Sequence, residues 1–558
     1  MNDWETIGPP PQEKSPPPAR HLPGRFPLLW VLLPLLAGYL AALADIRIPV
    51  TLLWAAAVAA ACAALAAAFR KGDAKHHDTA WATAFCTGVF CAGVLWHGVA
   101  CPPPPDRGSL PAREAVLSVR VDELFATRFG ATSGIGVVTG APHHLRELEG
   151  ARLQFRATRG TGDPGFDLGA TVRLRGVLEN AGDGEGFAQY LKRRGVPFTL
   201  SRATSEAVEI PATAFRRACT RARERVSQAL ETGVDEAGAA RLKALMLGRT
   251  ALLPEEERED FRRAGATHLF AISGLHITGI AAGLLWATRR LRLSDTFAAP
   301  AVLGALWLYV QMAGAPPSAT RAWIMSAALF GAAALGRGAR PAAGLTLAAT
   351  GTLIAEPGAL RDPGFLLSYL VVAAILLYAV PGARALETAW RPWRFVPPDA
   401  LGMRRRLVLA ARRPALGALA TSWACTLAGA PLVAALFGNV APVGLAANLA
   451  LVPLSAPPVI LGFLASALGA AGAPALAAPF NAGGAFFMDL LARGAHLAAR
   501  VPGGAWTTGA CPAWSPAVGG VTVLAALLAW PVRPDRSALR YLTLPIVSLA
   551  AYAICTAG

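Results

Sequence analysis

The chain carries a succession of apolar segments, each long enough to cross a lipid bilayer. About 20 apolar residues span the hydrocarbon core, and twelve segments here fit that length: 27–44, 48–69, 79–99, 268–288, 296–314, 320–337, 341–356, 364–381, 415–437, 443–468, 513–532 and 541–557. Residues 475–498 are a thirteenth candidate, but this stretch has a polar face and can lie in the interface instead.

The overall composition agrees with a membrane location. Hydrophobic residues make up 54% of the chain and charged residues only 16%, whereas charged residues are about a quarter of a soluble protein. We therefore expect an α-helical polytopic membrane protein of 12 or 13 transmembrane helices.

Basic residues in the short loops predict the orientation, because cytoplasmic loops carry an excess of Lys and Arg. Arg20 and Arg25 precede the first span, and the connection 382–413 holds eight arginines against two acidic residues. The N-terminus and residues 382–413 are therefore expected in the cytoplasm, and residues 100–267 outside it. Much of the net charge of +17 is explained by such loops and by contact with anionic lipid, so charge alone does not indicate a nucleic-acid partner.

The segment predicted to lie outside changes character along its length. Short alternating runs broken by glycine, such as "AVLSVRVDELFATRF" and "ATVRLRGVLE", predict strands of a small β-barrel of the oligonucleotide-binding type over residues 113–211. Residues 212–267 have a helical apolar period and predict amphipathic helices on the membrane surface. The proline-rich residues 1–26 predict a disordered cytoplasmic tail, and residues 27–99 predict three transmembrane helices.

Two basic clusters are the candidates for nucleic-acid contact. Counted from Glu114 to Ile210, the β-domain has 12 basic and 12 acidic residues, so only a local concentration of charge could bind phosphate. A solvated helix face explains the same clusters equally well. The candidate residues are Lys192, Arg193, Arg194, Arg216, Arg217 and Arg221.

The stretch "HLFAISGLH" places polar groups at the start of an apolar span. On a helix His268 and His276 lie about 12 Å apart, too far to share a metal ion. The only adjacent histidine pairs lie in predicted loops, so we predict no metal site and no cofactor. Hydrogen bonding between helices explains these residues. Alternatively, Ser273 and Gly274 interrupt the helix where it lines a wet cavity.

Further polar residues lie within or beside the spans. Arg321 can meet phosphates at the outer face or extend to lipid headgroups. Asn448 precedes Pro453, Pro457 and Pro458, so we expect that span to be broken.

Several segments together resemble the ComEC family of competence proteins. They occur in the order and spacing of that family and are "GFAQYLKRRGV", "LPEEEREDFRRAGATHLFAISGLHITG", "GAPPSATRAWIM", "LRDPGFLLSYLVVAA" and "FGNVAPVGLAANLALVPL". The resemblance extends from about residue 27 to the C-terminus and assigns residues 268–557 to a competence-type channel domain. It favours a pore-lining or gating role for His268, Ser273, Gly274 and His276, and it adds the pair Ser368 and Tyr369, where family members have a similar polar and aromatic pair.

The resemblance implies an inner-membrane channel that passes single-stranded DNA into the cytoplasm during natural transformation. Its partners are then single-stranded DNA, membrane lipid, other competence proteins and a separate nuclease, and a homo-oligomer is compatible with it. Longer family members carry a C-terminal metallo-β-lactamase-like nuclease domain, which is not expected here because the HxHxDH cluster is missing. We therefore predict a channel and not an enzyme. The alternatives are a transporter of another solute and, less favoured, an intramembrane enzyme using Ser273 with a histidine.

Overall fold

Helices dominate the computed structural model, and one small β-barrel is inserted among them. The structure describes residues 28–44, 49–69, 74–101, 111–125, 131–158, 166–181, 187–336, 340–393, 396, 402–508, 511, 514–529 and 543–556. The tail predicted for residues 1–26 lies outside the described residues. Three helices precede the barrel: α1 (Leu29–Leu43), α2 (Val50–Phe69) and α3 (Ala74–Ala100).

The remaining helices build the bundle after the barrel strands. In chain order they are α5 (Ala214–Ala229), α6 (Glu236–Leu247), α7 (Glu255–Arg263), α8 (Gly274–Arg290), α9 (Asp295–Met312), α10 (Pro317–Ala334), α11 (Pro341–Ala355), α12 (Pro363–Ala374), α13 (Val380–Ala389), α14 (Met403–Phe437), α15 (Gly444–Ala470), α16 (Ala478–Ala499), α17 (Ser515–Ala529) and α18 (Thr543–Thr556). A π-helical turn, Ile375–Ala379, joins α12 to α13.

Each of the twelve predicted spans coincides with a helix. Within the described chain, six helical stretches are long and apolar enough to cross a membrane: Thr79–Ala100, Thr267–Arg290, Pro363–Ala389, Met403–Phe437, Gly444–Ala470 and Pro474–Ala499. Shorter apolar helices of 10–17 residues account for further predicted spans. The predicted fold class is confirmed, and the stretch 475–498 belongs to one of the six long helices.

The prediction of a break in the span that contains Asn448 is wrong. Helix α15 runs without interruption from Gly444 to Ala470 and contains all three prolines. A membrane helix tolerates proline when neighbouring groups compensate for the lost hydrogen bonds, and α15 packs closely against α16 and α5. Its Gly462 and Gly469 lie against Met246 and Ala229, where a Cβ atom would clash, so tertiary packing holds α15 in one continuous helix.

The β-barrel closes in the strand order β1-β2-β3-β5-β4. Its strands are β1 (Arg113–Phe125), β2 (Ala131–Gly140), β3 (Arg152–Thr158), β4 (Thr171–Asn180) and β5 (Phe198–Ile210). Side chains alternate along a strand, so Leu117, Val119 and Val121 of β1 all point into the core and are fully buried. The predicted five-stranded barrel is therefore confirmed, and apolar alternation explains it.

A short helix, α4 (Phe187–Arg193), connects β4 to β5. Leu191 of this helix and Val196 after it are buried against Ile135 of β2, so α4 is anchored to the barrel. Gly195, at φ +68°, turns the chain from α4 into β5, and a Cβ atom there would lie 3.9 Å from a guanidinium nitrogen of Arg361 in the bundle. Helix α4 therefore lies where the barrel meets the bundle.

Helix α6 lies inside the bundle, whereas α5 keeps an exposed face. Leu242, Leu245 and Leu247 of α6 are buried in the largest apolar cluster, together with residues of α8, α9, α15 and α16. Tyr309 of α9 donates a hydrogen bond from its hydroxyl group to the Met246 carbonyl at 3.0 Å. On α5, the basic side chains of Arg217, Arg221 and Arg225 are exposed.

Candidate functional site

A large cavity lies between the barrel helix α4 and the helical bundle. Its volume is about 1900 Å³. The walls come from α1, α11, α12, the π-helical turn, the C-terminal end of α14, and α17, and α4 contributes Ala188, Tyr190 and Lys192. The cavity follows α12 from Pro363, next to the barrel, to Leu377 in the π-helical turn. That distance is about 21 Å at 1.5 Å per residue, a large part of the hydrocarbon thickness.

The charged side chains that line this cavity share one sign. They are Lys192, Arg262 and Arg361, and no carboxylate is among the described lining residues. Together with Tyr190 we call these residues the barrel mouth. The remaining wall consists mainly of leucine and alanine, with Thr346 and Tyr369 as polar exceptions along α11 and α12. Arg262 also donates to both carboxylate oxygens of Glu259 at 2.7 Å, so Lys192 and Arg361 account for most of the positive charge at the mouth. Cations between apolar walls favour anions there.

An ion pair between the end of α4 and strand β1 fixes the position of Tyr190. Arg194 donates to both carboxylate oxygens of Glu123 at 2.7 Å and to the Tyr190 hydroxyl at 2.9 Å. Burial alone lowers the pKa of Arg194, but the nearby Glu123 and Tyr190 outweigh it and the net pKa is raised, so the guanidinium stays charged. Arg194 therefore holds α4 against β1 and orients Tyr190 at the mouth.

A buried carboxyl group lies at the junction between the barrel and the bundle. Glu356 follows α11, and burial raises its pKa, while Arg152 and Arg194 of the barrel act in the opposite direction. Arg361 follows in a 3-10 turn, Pro357–Arg361, which directly precedes α12. The junction thus brings charges of the barrel and of the bundle together beside the mouth.

Arg321 supports the cavity wall from behind. Its side chain is buried, and its guanidinium lies 5.4 Å from the centre of the Tyr369 ring and 6.0 Å from that of Phe365. It also donates to the Gly364 carbonyl at 2.6 Å. Tyr369 and Phe365 both line the cavity, whereas Ser368 between them does not. Arg321 can therefore set the position of two wall residues without reaching the cavity.

Ser273 and His276 cap the start of α8. The Ser273 hydroxyl accepts a hydrogen bond from the Leu275 backbone N–H, and His276 Nδ1 accepts one from the Ser273 backbone N–H, both at 3.3 Å. Helix α8 begins at Gly274, after a 3-10 turn that contains His268. These residues satisfy donors that a helix start leaves open, and none of them lines the cavity.

Asn448 lies apart from the cavity as well. Its side-chain amide donates to the Gly265 carbonyl at 3.5 Å and so ties α15 to the turn before α8. The pore-lining or gating roles inferred for His268, Ser273, Gly274, His276, Arg321, Ser368 and Asn448 stay predictions. Of the residues singled out for that role, Tyr369 is the one that lines the cavity.

The basic residues predicted to contact nucleic acid separate into two groups. Lys192 lines the cavity, and Arg193 and Arg194 are its neighbours at the barrel, with Arg194 engaged by Glu123. On α5, Arg216 donates to the Gln311 side chain at 3.0 Å and Arg217 to the Ala212 carbonyl at 3.0 Å. Arg221 lies on the same helix, and none of these three α5 residues lines the cavity.

Sequence patterns did not indicate Tyr190, Arg262 or Arg361 as mouth residues. They come from α4, α7 and the turn before α12, which are distant in the chain. No local motif marks them, because the fold alone brings them to one cavity. For Arg361 the sequence contains one indication of a role at the mouth, namely its position between two predicted spans.

Comparison with known proteins places the bundle in a family. The sequence profile of the competence protein family matches residues 245–533, more than half of the chain. ComE operon protein 3 of Bacillus subtilis (strain 168) is 32% identical over 136 residues, which cover 24% of this chain and 18% of that protein. The matched part is thus about a fifth of the relative's length. No solved structure matches the chain.

Proposed function

The chain belongs to the ComEC family of competence proteins, and on that basis we propose that it conducts single-stranded DNA across the bacterial inner membrane during natural transformation. The strand enters at the barrel mouth, beside Lys192 and Arg361, and passes along the cavity. The barrel faces away from the cytoplasm, and the N-terminus lies inside.

The observation that carries this proposal is the distribution of charge along the cavity. Cations line the mouth and no acidic side chain stands among the described lining residues, which suits a phosphate backbone. Deeper walls are apolar and can accommodate bases without holding phosphates. A conduit needs attraction strong enough for entry and weak enough for release, and this arrangement provides both.

The size of the cavity favours a polymer over a small solute as the transported molecule. Pockets for small molecules enclose about 300–1,000 Å³ and place a few polar groups around the ligand. This cavity is about 1900 Å³ and lacks a charged group among the described residues of its deep wall. A transporter of another solute requires such a recognition site, so DNA is the better candidate.

The proposal includes further components. We expect the second DNA strand to be degraded by a separate nuclease, other competence proteins to deliver DNA to the barrel, and anionic lipid to contact the basic loops. A homo-oligomer is compatible with a cavity whose described walls come from one chain.

The test is a comparison of bound and internalised DNA in a naturally transformable host. A strain that lacks the gene is complemented with the wild type, with Lys192→Gln/Arg361→Gln, or with Arg173→Gln/Arg175→Gln, whose arginines lie on the barrel surface and pair with Glu209 and Glu206. We expect the mouth variant to lower internalised DNA on the order of tenfold, since each lost phosphate contact weakens binding, with surface-bound DNA unchanged. Equal uptake by the mouth variant and the wild type would overturn the proposal.

A further inference from the structure

A helical arm rich in arginine begins at the end of the cavity that lies away from the barrel. Helix α12 starts at the mouth, and Leu376 and Leu377 of the following π-helical turn still line the cavity. Helix α13 begins at Val380, three residues later. The chain therefore leaves the deep end of the cavity directly into the arm.

The second half of the arm is the start of α14. This helix has 35 residues, but its apolar part begins only after Arg413. The first eleven residues, Met403–Arg413, extend about 16 Å at 1.5 Å per residue, which is more than the roughly 5–8 Å of one headgroup layer. We name Val380–Trp393 together with Met403–Arg413 the arginine arm.

Contacts hold the two halves of the arm together. Arg413 lies 3.6 Å from the Glu387 carboxylate, and Arg412 donates to the Trp390 carbonyl at 2.9 Å. The Arg405 guanidinium lies 5.5 Å from the centre of the Trp393 ring. Trp393 has a φ of +57°, a conformation that bulky residues rarely adopt.

The arm combines positive charge with exposed aromatic surface. Its residues include seven arginines and one glutamate, and Trp390 is 50% exposed. Stacking on aromatic rings together with contacts from basic residues is how proteins hold single strands without sequence preference. Anionic lipid attracts arginine too, but it offers no planar base for the tryptophans, and Met403–Arg413 is longer than one headgroup layer is thick.

We propose that the arginine arm receives the single strand as it leaves the cavity, with Arg404, Arg405 and Arg406 on the phosphates and Trp390 and Trp393 against the bases. This rests on the proposed function, because only a strand in the cavity reaches the arm from that side. Binding at the arm withdraws emerging DNA from the cavity and opposes its return.

The direct test measures binding of a fluorescent oligothymidylate to the full-length protein in neutral phosphatidylcholine nanodiscs at several salt concentrations. Arg404→Gln/Arg405→Gln/Arg406→Gln should lower affinity about tenfold or more and make the salt slope shallower by about 2, since each phosphate contact on a single strand contributes about 0.7. Arg404→Lys/Arg405→Lys/Arg406→Lys keeps the charge that directs insertion. It should retain the slope and lose about threefold in affinity through weaker stacking.

The chain offers a matched control at the end of α8 and in the turn that follows it. Arg289, Arg290 and Arg292 are exposed, and Arg290 lies 6.0 Å from the centre of the Trp286 ring, but none of them lines the cavity. Changing these three to Gln should alter affinity less than about twofold. An equal loss in both triple Gln variants would overturn the proposal, because any basic loop would then suffice. Unchanged binding in the arm variant would overturn it as well.

Two further measurements separate the remaining outcomes. In phosphatidylglycerol nanodiscs, Arg404→Gln/Arg405→Gln/Arg406→Gln can lose bound lipid and still bind the oligonucleotide as the wild type does. That result assigns the arginine arm to lipid and overturns the inference. The mouth variant Lys192→Gln/Arg361→Gln keeps the arm and should keep arm-dependent binding. Normal DNA uptake by the mouth variant contradicts the proposed function alone. If the mouth variant blocks uptake but the arginine arm does not bind the oligonucleotide, the result contradicts this inference alone.

Discussion

The barrel and the bundle differ in how they fill their interiors and how they place their charges. The barrel interior is packed with fully buried side chains such as Leu117, Phe155 and Leu174, and its exterior arginines pair with glutamates. The bundle instead leaves a cavity of about 1900 Å³ lined at its mouth by cations. The barrel interior is therefore closed by packing, whereas the bundle leaves open space beside its cations.

Filling each interior with one large side chain gives the largest expected effect. Ala37 of α1 lines the cavity and is exposed to it, so Ala37→Trp should leave folding intact and reduce DNA uptake by about a hundredfold through obstruction, on the order of a lost transport step worth about 2.7 kcal/mol. Ala157 of β3 is fully buried, and Ala157→Trp should overpack the barrel at a cost of about 3 kcal/mol. Uptake assays and melting in detergent distinguish the two results.

If the Ala37→Trp protein accumulates to the wild-type level and takes up DNA at the normal rate, the proposed difference between the two interiors is contradicted. The cavity would then not carry DNA. Ala37→Ser, which leaves the space open, is the matched control and should behave as the wild type.

Local patterns in the sequence predict the strands of the barrel and the spans of the bundle, but not the contacts between distant residues. Alternation in "AVLSVRV" is enough for a strand of the barrel, because one face must be buried, and apolar length is enough for each span. Arg194 stays a predicted DNA contact, and nothing in the sequence indicates that it pairs with Glu123, which is 71 positions away. Long-range pairs of this kind, and the assembly of Arg262 with Arg361, depend on packing that no local pattern encodes.

A second prediction compares a buried ion pair of the barrel with an exposed one. Arg194 is 9% exposed and contacts Glu123, whereas Arg173 is 52% exposed and contacts Glu209. Arg194→Gln should destabilise the protein by about 2 kcal/mol, less than a fully buried pair because Glu123 is partly solvated. Arg173→Gln should cost about 0.5 kcal/mol. Melting curves measure both, and equal losses would remove the distinction between the two pairs.

A third prediction concerns the cap of α8, which lies in the bundle but away from the cavity. His276→Leu should keep the protein in the membrane and lower transformation about tenfold, because buried polar groups in a membrane are retained where they are used. Ser273→Asp keeps an acceptor for the helix start and should change transformation less than about twofold. Transformation frequencies and immunoblots measure these effects. Equal losses in both variants would assign His276 to capping alone.

The smallest expected effect is on the pH dependence of stability, where two carboxyl groups behave oppositely. Hydrogen bonds from Arg262, and then from Arg263, hold the pKa of Glu259 in α7 at about 2, below its pKa in an unfolded chain. The ionised Glu259 therefore stabilises the fold fully when the pH is above the unfolded pKa, and this stabilisation is lost as the pH falls towards 2. Burial raises the pKa of Glu356 at the junction, so its ionisation opposes folding as the pH rises.

Melting temperatures in detergent between pH 2 and pH 7 test this pair. Glu259→Gln should be less stable than the wild type near neutral pH, with the difference shrinking in acid, and the effect should be small because Glu259 is 37% exposed. Glu356→Gln should show the reverse trend, with its advantage over the wild type growing as the pH rises and the native carboxyl group ionises against its buried surroundings. Parallel curves for both variants would mean that neither carboxyl group couples folding to pH, and that the junction and α7 are as solvated as the barrel surface.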